Sequence, residues 1–385
     1  MSYVDLGTIS TKSEKRGGSK IGVRVPGKLL LLGVLLVFLI LGFRLLISSS
    51  PTVLAQFWST SGQVISFMIP GRSHLLEDEG VTNVLLVGID KRSEVPYSYT
   101  TASGQVVKNG FLADTIIIAS LNRKTSSVSM LSIPRDLWVK MPAFGNLSPQ
   151  YSKINAAHAL GDQFGGQENG GMLLLKEVVE QILDIPIHYW VRIDFAGFEK
   201  GIDAIEGIDV VVERTFDDYM FPRPGYENAP WNQRWEHVHF DAGLQHMDGA
   251  TALEYARSRH ALGVEGSDFA RSRRQQKVII AAKNKILSSS TLFNTAKLKE
   301  LYEVVSDHVR TNVKLSEFPL FFSLAKQFSD KEVKTYSLTD ETENLLAAPT
   351  DLSLYGGAWV LVPAAGGEDF SDVQGFVKGI FYERE

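Results

Sequence analysis

The chain of 385 residues contains no cysteine. Disulfide staples and thiolate chemistry are therefore excluded, and the absence is compatible with a place outside the cytoplasm. Positive charge is also in short supply, with 39 Lys and Arg against 44 Asp and Glu and a formal net charge of -5. A nucleic-acid partner calls for a basic surface, so none is expected. No segment repeats another. The glycine-rich stretch Gly165–Gly171 lacks the lysine and hydroxyl residue of a P-loop and follows no strand pattern, so it reads as a connection between helices. Long apolar runs are missing with one exception, residues 29–47. What remains, 44% hydrophobic and 22% charged, describes a globular protein with ample core.

The exception, LLLLGVLLVFLILGFRLLI, is long enough to span a bilayer, and Arg44 near its far end can snorkel to the interface. Lys12, Lys15, Arg16, Lys20, Arg24 and Lys28 precede it against Asp5 and Glu14, whereas residues 45–71 carry no charge. The positive-inside rule then leaves the N-terminus in the cytoplasm and everything from about residue 48 outside it. The expected organisation is a basic cytoplasmic tail (1–27), a transmembrane anchor (28–47), a membrane-proximal linker (48–80), a catalytic domain (81–290) and a C-terminal α/β extension (291–385). This makes the chain a single-pass cell-membrane protein. A cleaved signal peptide, with Val53 and Ala55 as the small residues before a cut, is the competing reading, but its apolar region would be unusually long.

From Thr82 onward the pattern turns to short β-branched runs: NVLLVGID (83–90), DTIIIASLN (114–122) and SVSMLSIP (127–134), the last two joined by a hairpin through Arg123–Thr125. Helical patterns at 154–160, 172–183 and 197–205 then alternate with strands YWVRIDF (189–195) and IDVVVE (208–213). Two more helices are expected, DGATALEYAR with Asp248 as N-cap and FARSRRQQKVIIAAKNKIL. Such alternation predicts an α/β fold, a mixed central sheet covered by helices, preceded by the transmembrane helix. Beyond residue 290, EVKTYSL and AWVLVPA read as strands and SDVQGFVKGIF as a helix, either completing the sheet or forming a small lobe.

Five arginines and an acid crowd into two neighbouring motifs, YARSR (Tyr255–Arg259) and DFARSRRQQ (Asp268–Gln276). Arg271, Arg274 and Gln275 share one helix face, which turns apolar a turn later at Val278. Arg257 and Arg259 serve one ligand only if their helix ends near Ser258, as the small residues of 260–266 suggest. In a mildly acidic chain this cluster suits a compact phosphate ligand, because the guanidinium fork stays charged and grips two oxygens; pairing with surface acids is the alternative. Asp90 ends the first strand and Asp114 begins the second, where an open α/β sheet presents side chains to a crevice. Together they suit a magnesium ion beside phosphate, and singly they suit caps or turns. Arg135 in SIPRD follows a strand that Pro134 terminates, and Asp136 is placed to orient it.

These motifs, with KINAAHALG, IPIHYWVRIDFAGFEKGIDAIEGIDV and LQHMDGATALEYARSRH in the same order, resemble the LytR-CpsA-Psr (LCP) proteins over about Asn83 to Ile286. The resemblance implies a three-layer α-β-α domain that transfers a glycopolymer from a polyprenyl-pyrophosphate carrier to peptidoglycan or another cell-envelope acceptor, with Mg2+ as cofactor. Asp90 and Asp114 match the metal ligands, and Arg135, Arg257, Arg259 and Gln275 match residues that grip the pyrophosphate. Asp268, Arg271 and Arg274 match the remaining polar motif, in which Arg271 and Arg274 are also expected at the pyrophosphate. Asp114, Arg135 and Asp268 are the expected catalytic residues, with Asp114 or Asp268 as base. The chain departs from the family pattern at Leu112, where an arginine is usual; Arg92 and Lys108 are the candidate substitutes. Hydrolysis of the same pyrophosphate and non-enzymatic lipid binding are the alternative functions. A lipid tail would need an apolar channel, for which Phe195, Phe198, Ile202 and Val210 are candidates. Two features stand apart: His237 and His239 alternate onto one strand face as a pair of metal ligands, with His246 nearby, and Phe221–Trp235 forms an aromatic-rich loop suited to stacking on sugars.

Overall fold

The computed structural model describes residues 75–90, 98–100, 106–108, 111–226, 229–286, 307–314 and 332–382, with isolated positions from 317 to 328. The expected anchor, most of the linker and Arg92 lie outside these residues. Among the described residues no helix is long and apolar enough to cross a membrane.

The chain enters the sheet with β1 (Val81–Ile89), followed by a short ribbon of β2 (Ser98–Thr100) and β3 (Val106–Lys108), and then by β4 (Ala113–Asn122) and β5 (Ser127–Ser132). A second ribbon, β6 (Trp138–Met141) with β7 (Gln150–Lys153), precedes helices α1 (Ala156–Phe164) and α2 (Gly170–Leu183). Next come β8 (Tyr189–Asp194), α3 (Phe195–Ala204), β9 (Ile208–Val212), β10 (Phe216–Pro222), β11 (Trp235–Phe240) and β12 (Gly243–Met247). Helices α4 (Gly249–Arg257) and α5 (Asp268–Ile286), strands β13 (Val309–Thr311) and β14 (Val333–Ser337), and helix α6 (Ser371–Tyr382) complete the frame.

Six strands form the mixed sheet, in the order β13-β8-β1-β4-β5-β14. The β1–β4 and β4–β5 pairs are antiparallel, whereas β8 runs parallel to β1 and β14 parallel to β5. Both edge strands therefore come from beyond residue 290. Of the two readings of that segment, completion of the sheet is the observed one: Leu338, Val377 and Phe381 are buried in the same core as Leu85 and Ile118. AWVLVPA supplies only a two-residue pairing, Val362–Pro363 with Leu346–Ala347.

The period-two alternation of a strand sorts the sheet faces. Leu85, Val87, Ile89, Ile116 and Ile118 pack beneath α1, α2 and α6. Leu86, Gly88, Leu121 and Val191 face the other side, toward α3 and α5. The covering helices start where local chemistry dictates: Asp194 accepts from the N–H of Gly197 to cap α3, and Asp248 accepts from Thr251 to cap α4. Helix α4 ends at Ser258, where the backbone turns extended, as the small-residue stretch after it predicted.

Candidate functional site

The polar end of the sheet is assembled from strand ends. Asp90 follows β1 directly, and its N–H donates to Leu112 O at 3.3 Å, so Asp90 and Asp114 stand at the same end of neighbouring strands. Arg135 leaves β5 through the turn that Pro134 begins, and its Nη1 donates to Asp114 Oδ1 at 2.8 Å. Asp136 lies 3.4 Å from Arg135 Nε and ties its other oxygen to Lys153 Nζ at 2.6 Å, which gives it the orienting place expected of it. Burial opposes the charge of Arg135, but the opposite charges of Asp114, Asp136 and Asp268 outweigh it and raise its pKa above the ordinary value.

Helix α5 closes this cluster from the far side. Asp268 in its first turn holds Arg271 Nη2 at 3.0 Å. Arg271 is 6% exposed, and burial followed by repulsion from Arg135 outweighs its acids and lowers its pKa. Two arginines and three carboxylates, Asp114, Asp136 and Asp268, from β4, the end of β5 and α5, thus share one small volume. Arg135 Nε and Arg271 Nε are both buried without a hydrogen-bond acceptor. A buried guanidinium donor without an acceptor is costly, and an anion is the natural partner for it.

Beside the cluster opens a cavity of about 720 Å3, almost wholly apolar, between the sheet and helices α3, α4 and α5. Gly88 and Thr115, next to Asp90 and Asp114, lie in its wall together with Arg257 and Gln275. The Arg257 guanidinium stands over the Phe195 ring at 4.5 Å and the Phe221 ring at 5.2 Å. Phe195, Phe198 and Ile202, three of the four residues expected to line an apolar channel, lie in the cavity wall. Val210 does not; it packs with Val212, Phe216 and Tyr255 in a separate core.

Arg274 departs from expectation. It was placed with the pyrophosphate, yet its guanidinium is 2% exposed and makes four hydrogen bonds: to Tyr255 O at 3.0 Å, to Glu265 O at 3.1 Å, to Glu265 Oε2 at 2.8 Å and to Ser258 O. The helix phase shared with Arg271 is real, but the end of α4 and the turn after it dock over Arg274 and absorb its donors. Glu265 was missed by sequence reasoning, as was Asp218. Asp218 is 1% exposed and its Oδ2 accepts from Ser258 Oγ (2.7 Å), Arg259 N (3.0 Å) and His260 N (3.0 Å), so it fixes the turn that carries Arg257 and Arg259. The signal for Asp218 was its inward position in the alternation of FDDYMF. Leu112 contributes its backbone carbonyl to Asp90, and of its two candidate substitutes Arg92 lies outside the described residues and Lys108 is described only as backbone in β3.

Several solved structures share the architecture. A Streptococcus agalactiae protein, gbs0355, superposes with a TM-score of 0.56 at 24% identity, over 79% of this chain and 89% of its own. Bacillus subtilis TagV superposes at 0.51 with 27% identity, over 80% of this chain and all of that one. In sequence, the chain is 32% identical over 227 residues to a polyisoprenyl-teichoic acid–peptidoglycan teichoic acid transferase, TagV of Bacillus subtilis (strain 168), which covers 59% of this chain and 51% of TagV. It is 30% identical over 247 residues to the transferase of the same description, TagU, of Oceanobacillus iheyensis, covering 64% and 63%. The matched region thus spans roughly half to two thirds of these curated relatives. With the LytR_cpsA_psr family matching residues 59–355, more than half of its length, the chain belongs to the LytR-CpsA-Psr family.

Proposed function

We propose that the chain is a membrane-anchored phosphotransferase that moves a glycopolymer from a polyprenyl-pyrophosphate carrier to a cell-envelope acceptor, peptidoglycan or another surface glycan or protein. The observation that carries this reading is the adjacency of two environments: buried arginine donors without protein acceptors, and an apolar cavity of about 720 Å3 that begins beside them. A lipid pyrophosphate needs both, charge at the head and apolar wall along the tail, where each buried methylene is worth about 0.8 kcal/mol. The names of the two relatives, teichoic acid transferases acting on a polyisoprenyl carrier, support the same class of substrate.

In this proposal Arg135 and Arg271 hold the non-bridging phosphate oxygens, and Arg257 and Gln275 stand where head meets tail. An acceptor hydroxyl attacks the phosphorus that bears the glycan. The new P–O bond forms as the bond to the bridging oxygen breaks, the hydroxyl proton passes to a carboxylate, and polyprenyl phosphate leaves. Asp114 and Asp268 are the two carboxylates in place for that proton, each held by an arginine. Little covalent chemistry falls to the protein; positioning and charge neutralisation supply the rate. Magnesium belongs to the proposal, and Asp90 and Asp114 fit it as a donor set of hard oxygens without imidazole. When bound, the ion would withdraw charge from the phosphate oxygens. Residues 28–47 anchor the domain at the outer face of the cytoplasmic membrane, where lipid-linked glycans are displayed.

The test is mass spectrometry of the detergent-solubilised full chain, purified from bacteria, for retained polyprenyl phosphate or pyrophosphate. Arg135→Ala and Arg257→Ala are expected to lose the lipid while keeping the wild-type circular dichroism. Folded variants that retain it at wild-type occupancy would overturn the reading. Turnover with and without acceptor glycan separates transfer from hydrolysis, and Asp114→Asn against Asp268→Asn, compared in single turnover, identifies the base as the one whose rate loses its pH dependence.

A further inference from the structure

The β10–β11 hairpin holds a cluster that the transfer reaction does not use. Asp217 lies directly opposite His239 in the antiparallel register, and His237 is two residues along on the same outward face. Asp217 Oδ1 is 2.8 Å from His237 Nε2 and 2.7 Å from His239 Nδ1. Among the described residues, these three bring their ligand atoms within 4.8 Å of one another. His246, the third histidine considered from sequence, pairs instead with Asp209 on the neighbouring ribbon at 2.7 Å.

Independent features hold each imidazole in place. The other ring nitrogen of His239, Nε2, faces Asp241 Oδ1 at 3.2 Å, the carboxylate–histidine relation that orients metal-bound imidazoles and raises their basicity. The His237 ring is stacked on Tyr219 at 4.3 Å between centroids and 6° between planes. The bulge between Asp218 and Phe221 belongs to the stretch of β10 that carries Tyr219.

We propose that Asp217, His237 and His239 form a surface site for a first-row divalent transition metal, of which Zn2+ is the probe. Two imidazoles and a carboxylate with the outward side open suit borderline-soft ions and leave a position for water or an exogenous ligand. Ligand atoms about 2.0–2.1 Å from a tetrahedral zinc stand roughly 3.3 Å apart, so the Asp217 oxygen needs to draw away from each imidazole nitrogen by about half an ångström. This set is chemically distinct from the oxygen-only pair Asp90 and Asp114, so the two sites select different ions.

The location gives the ion a consequence. Asp217 O accepts from Leu262 N at 3.4 Å, and the neighbouring Asp218 clamps Ser258, Arg259 and His260. An ion pinning β10 to β11 therefore stiffens the support of the turn that carries Arg257 and Arg259. The bearing of that stiffening on the ligand rests on the proposed pyrophosphate site, whereas the ion's binding does not.

The experiment is isothermal titration of Zn2+ into the metal-stripped, detergent-solubilised full chain and into a His237→Gln/His239→Gln variant whose thermal midpoint in EDTA matches wild type. One Zn2+ per wild-type chain at micromolar affinity, weakened at least tenfold in the variant, is expected. Co2+ is expected to develop visible d–d absorption in wild type alone. Equal Zn2+ binding by the two proteins, or none by wild type, overturns the site. If the double variant fails to match the midpoint, Asp217→Asn takes its place in the same titration. Hydrogen exchange then reads the coupling: Zn2+ is expected to slow amides Ser258–His260 in wild type and not in the variant, and unchanged exchange at full occupancy overturns the stiffening while leaving the lipid site untouched.

Discussion

Arg271 and Arg274 sit one turn apart on α5, both almost fully buried, yet they occupy opposite kinds of environment. Arg274 is closed in by Glu265 and by three carbonyl oxygens, so its charge and donors are spent within the protein. Arg271 has one carboxylate, Asp268, a second guanidinium nearby and an Nε without an acceptor. The first arrangement joins α4, the turn 263–266 and α5 into one body; the second keeps binding capacity for an anion. The contrast teaches that a run of arginines marks a neighbourhood, and that what each donor already touches decides which of them a ligand can use. Arg192 shows the limit of any single criterion, since its Nε is also buried without an acceptor although it lies on the α1 side of the sheet beside His158.

The sharpest way to break this comparison is to remove each side chain in turn. Arg274→Ala leaves Glu265 buried beside Arg273 alone, and a broken buried pair costs about 3–5 kcal/mol. Denaturant unfolding is expected to show that loss. Arg274→Met with Glu265→Gln is expected to recover part of it, because the uncompensated carboxylate is gone. If Arg274→Ala unfolds like wild type but loses lipid binding, the structural assignment is wrong.

Arg271→Ala and Arg135→Ala should instead show a rate loss on the order of 10²-fold or more, comparable to removing one oxyanion donor. The Arg271→Ala midpoint is expected at or slightly above wild type, because burial and repulsion from Arg135 disfavour that charge, whereas Arg135→Ala is expected to lower it, because Asp114 and Asp136 lose the cation that holds them. Single-turnover transfer beside urea melts checks both halves.

Much of this contrast's setting was legible in the sequence. β-Branched runs bounded by Asp90, Asp114 and Arg135 placed three polar residues at strand ends, and a strand end has one direction to point. The end of α4 at Ser258 followed from the small residues after it. The Arg274 environment was not legible, because helical phase puts it on the same face as Arg271 and only the docking of Glu265, nine positions earlier, separates them. The edge strands were hidden for a similar reason: EVKTYSL reads as a strand, but its parallel partner Ser127–Ser132 is about two hundred residues away, and no local pattern encodes such a pairing. Asp218 belongs to the same class, since its three partners come from a turn forty residues on.

Asp218 also sharpens the comparison, as an acid that builds the site without touching the ligand. Asp218→Asn keeps the shape but weakens one acceptor shared by three donors, and loss of charge-assisted bonds of this kind is expected to cost about 1–3 kcal/mol. The expected signature is a larger apparent KM for the lipid with kcat changed less, because the Arg257–Arg259 turn loosens. An equal fall in both would place Asp218 in the chemistry instead.

The smallest effect concerns the opposite face, where His158 supports the approach to Asp114. Its Nδ1 lies 2.8 Å from Phe111 O and its Nε2 3.4 Å from Arg192 Nη1, an arrangement a neutral ring satisfies by donating to the carbonyl and accepting from the guanidinium. Burial is the first cause that lowers its pKa, and the charge of Arg192 adds to it. The unfolded chain therefore binds a proton that the folded one does not, so stability is present above the ordinary histidine value near 6.5 and falls as pH drops below it, by at most about 1.4 kcal/mol per pH unit. Urea melts between pH 7.5 and 5 are expected to show that slope in wild type. In His158→Gln, which keeps a donor for Phe111 O but cannot titrate, the slope over this window should flatten; an unchanged slope would assign it to another group, such as His188, whose pKa burial also lowers.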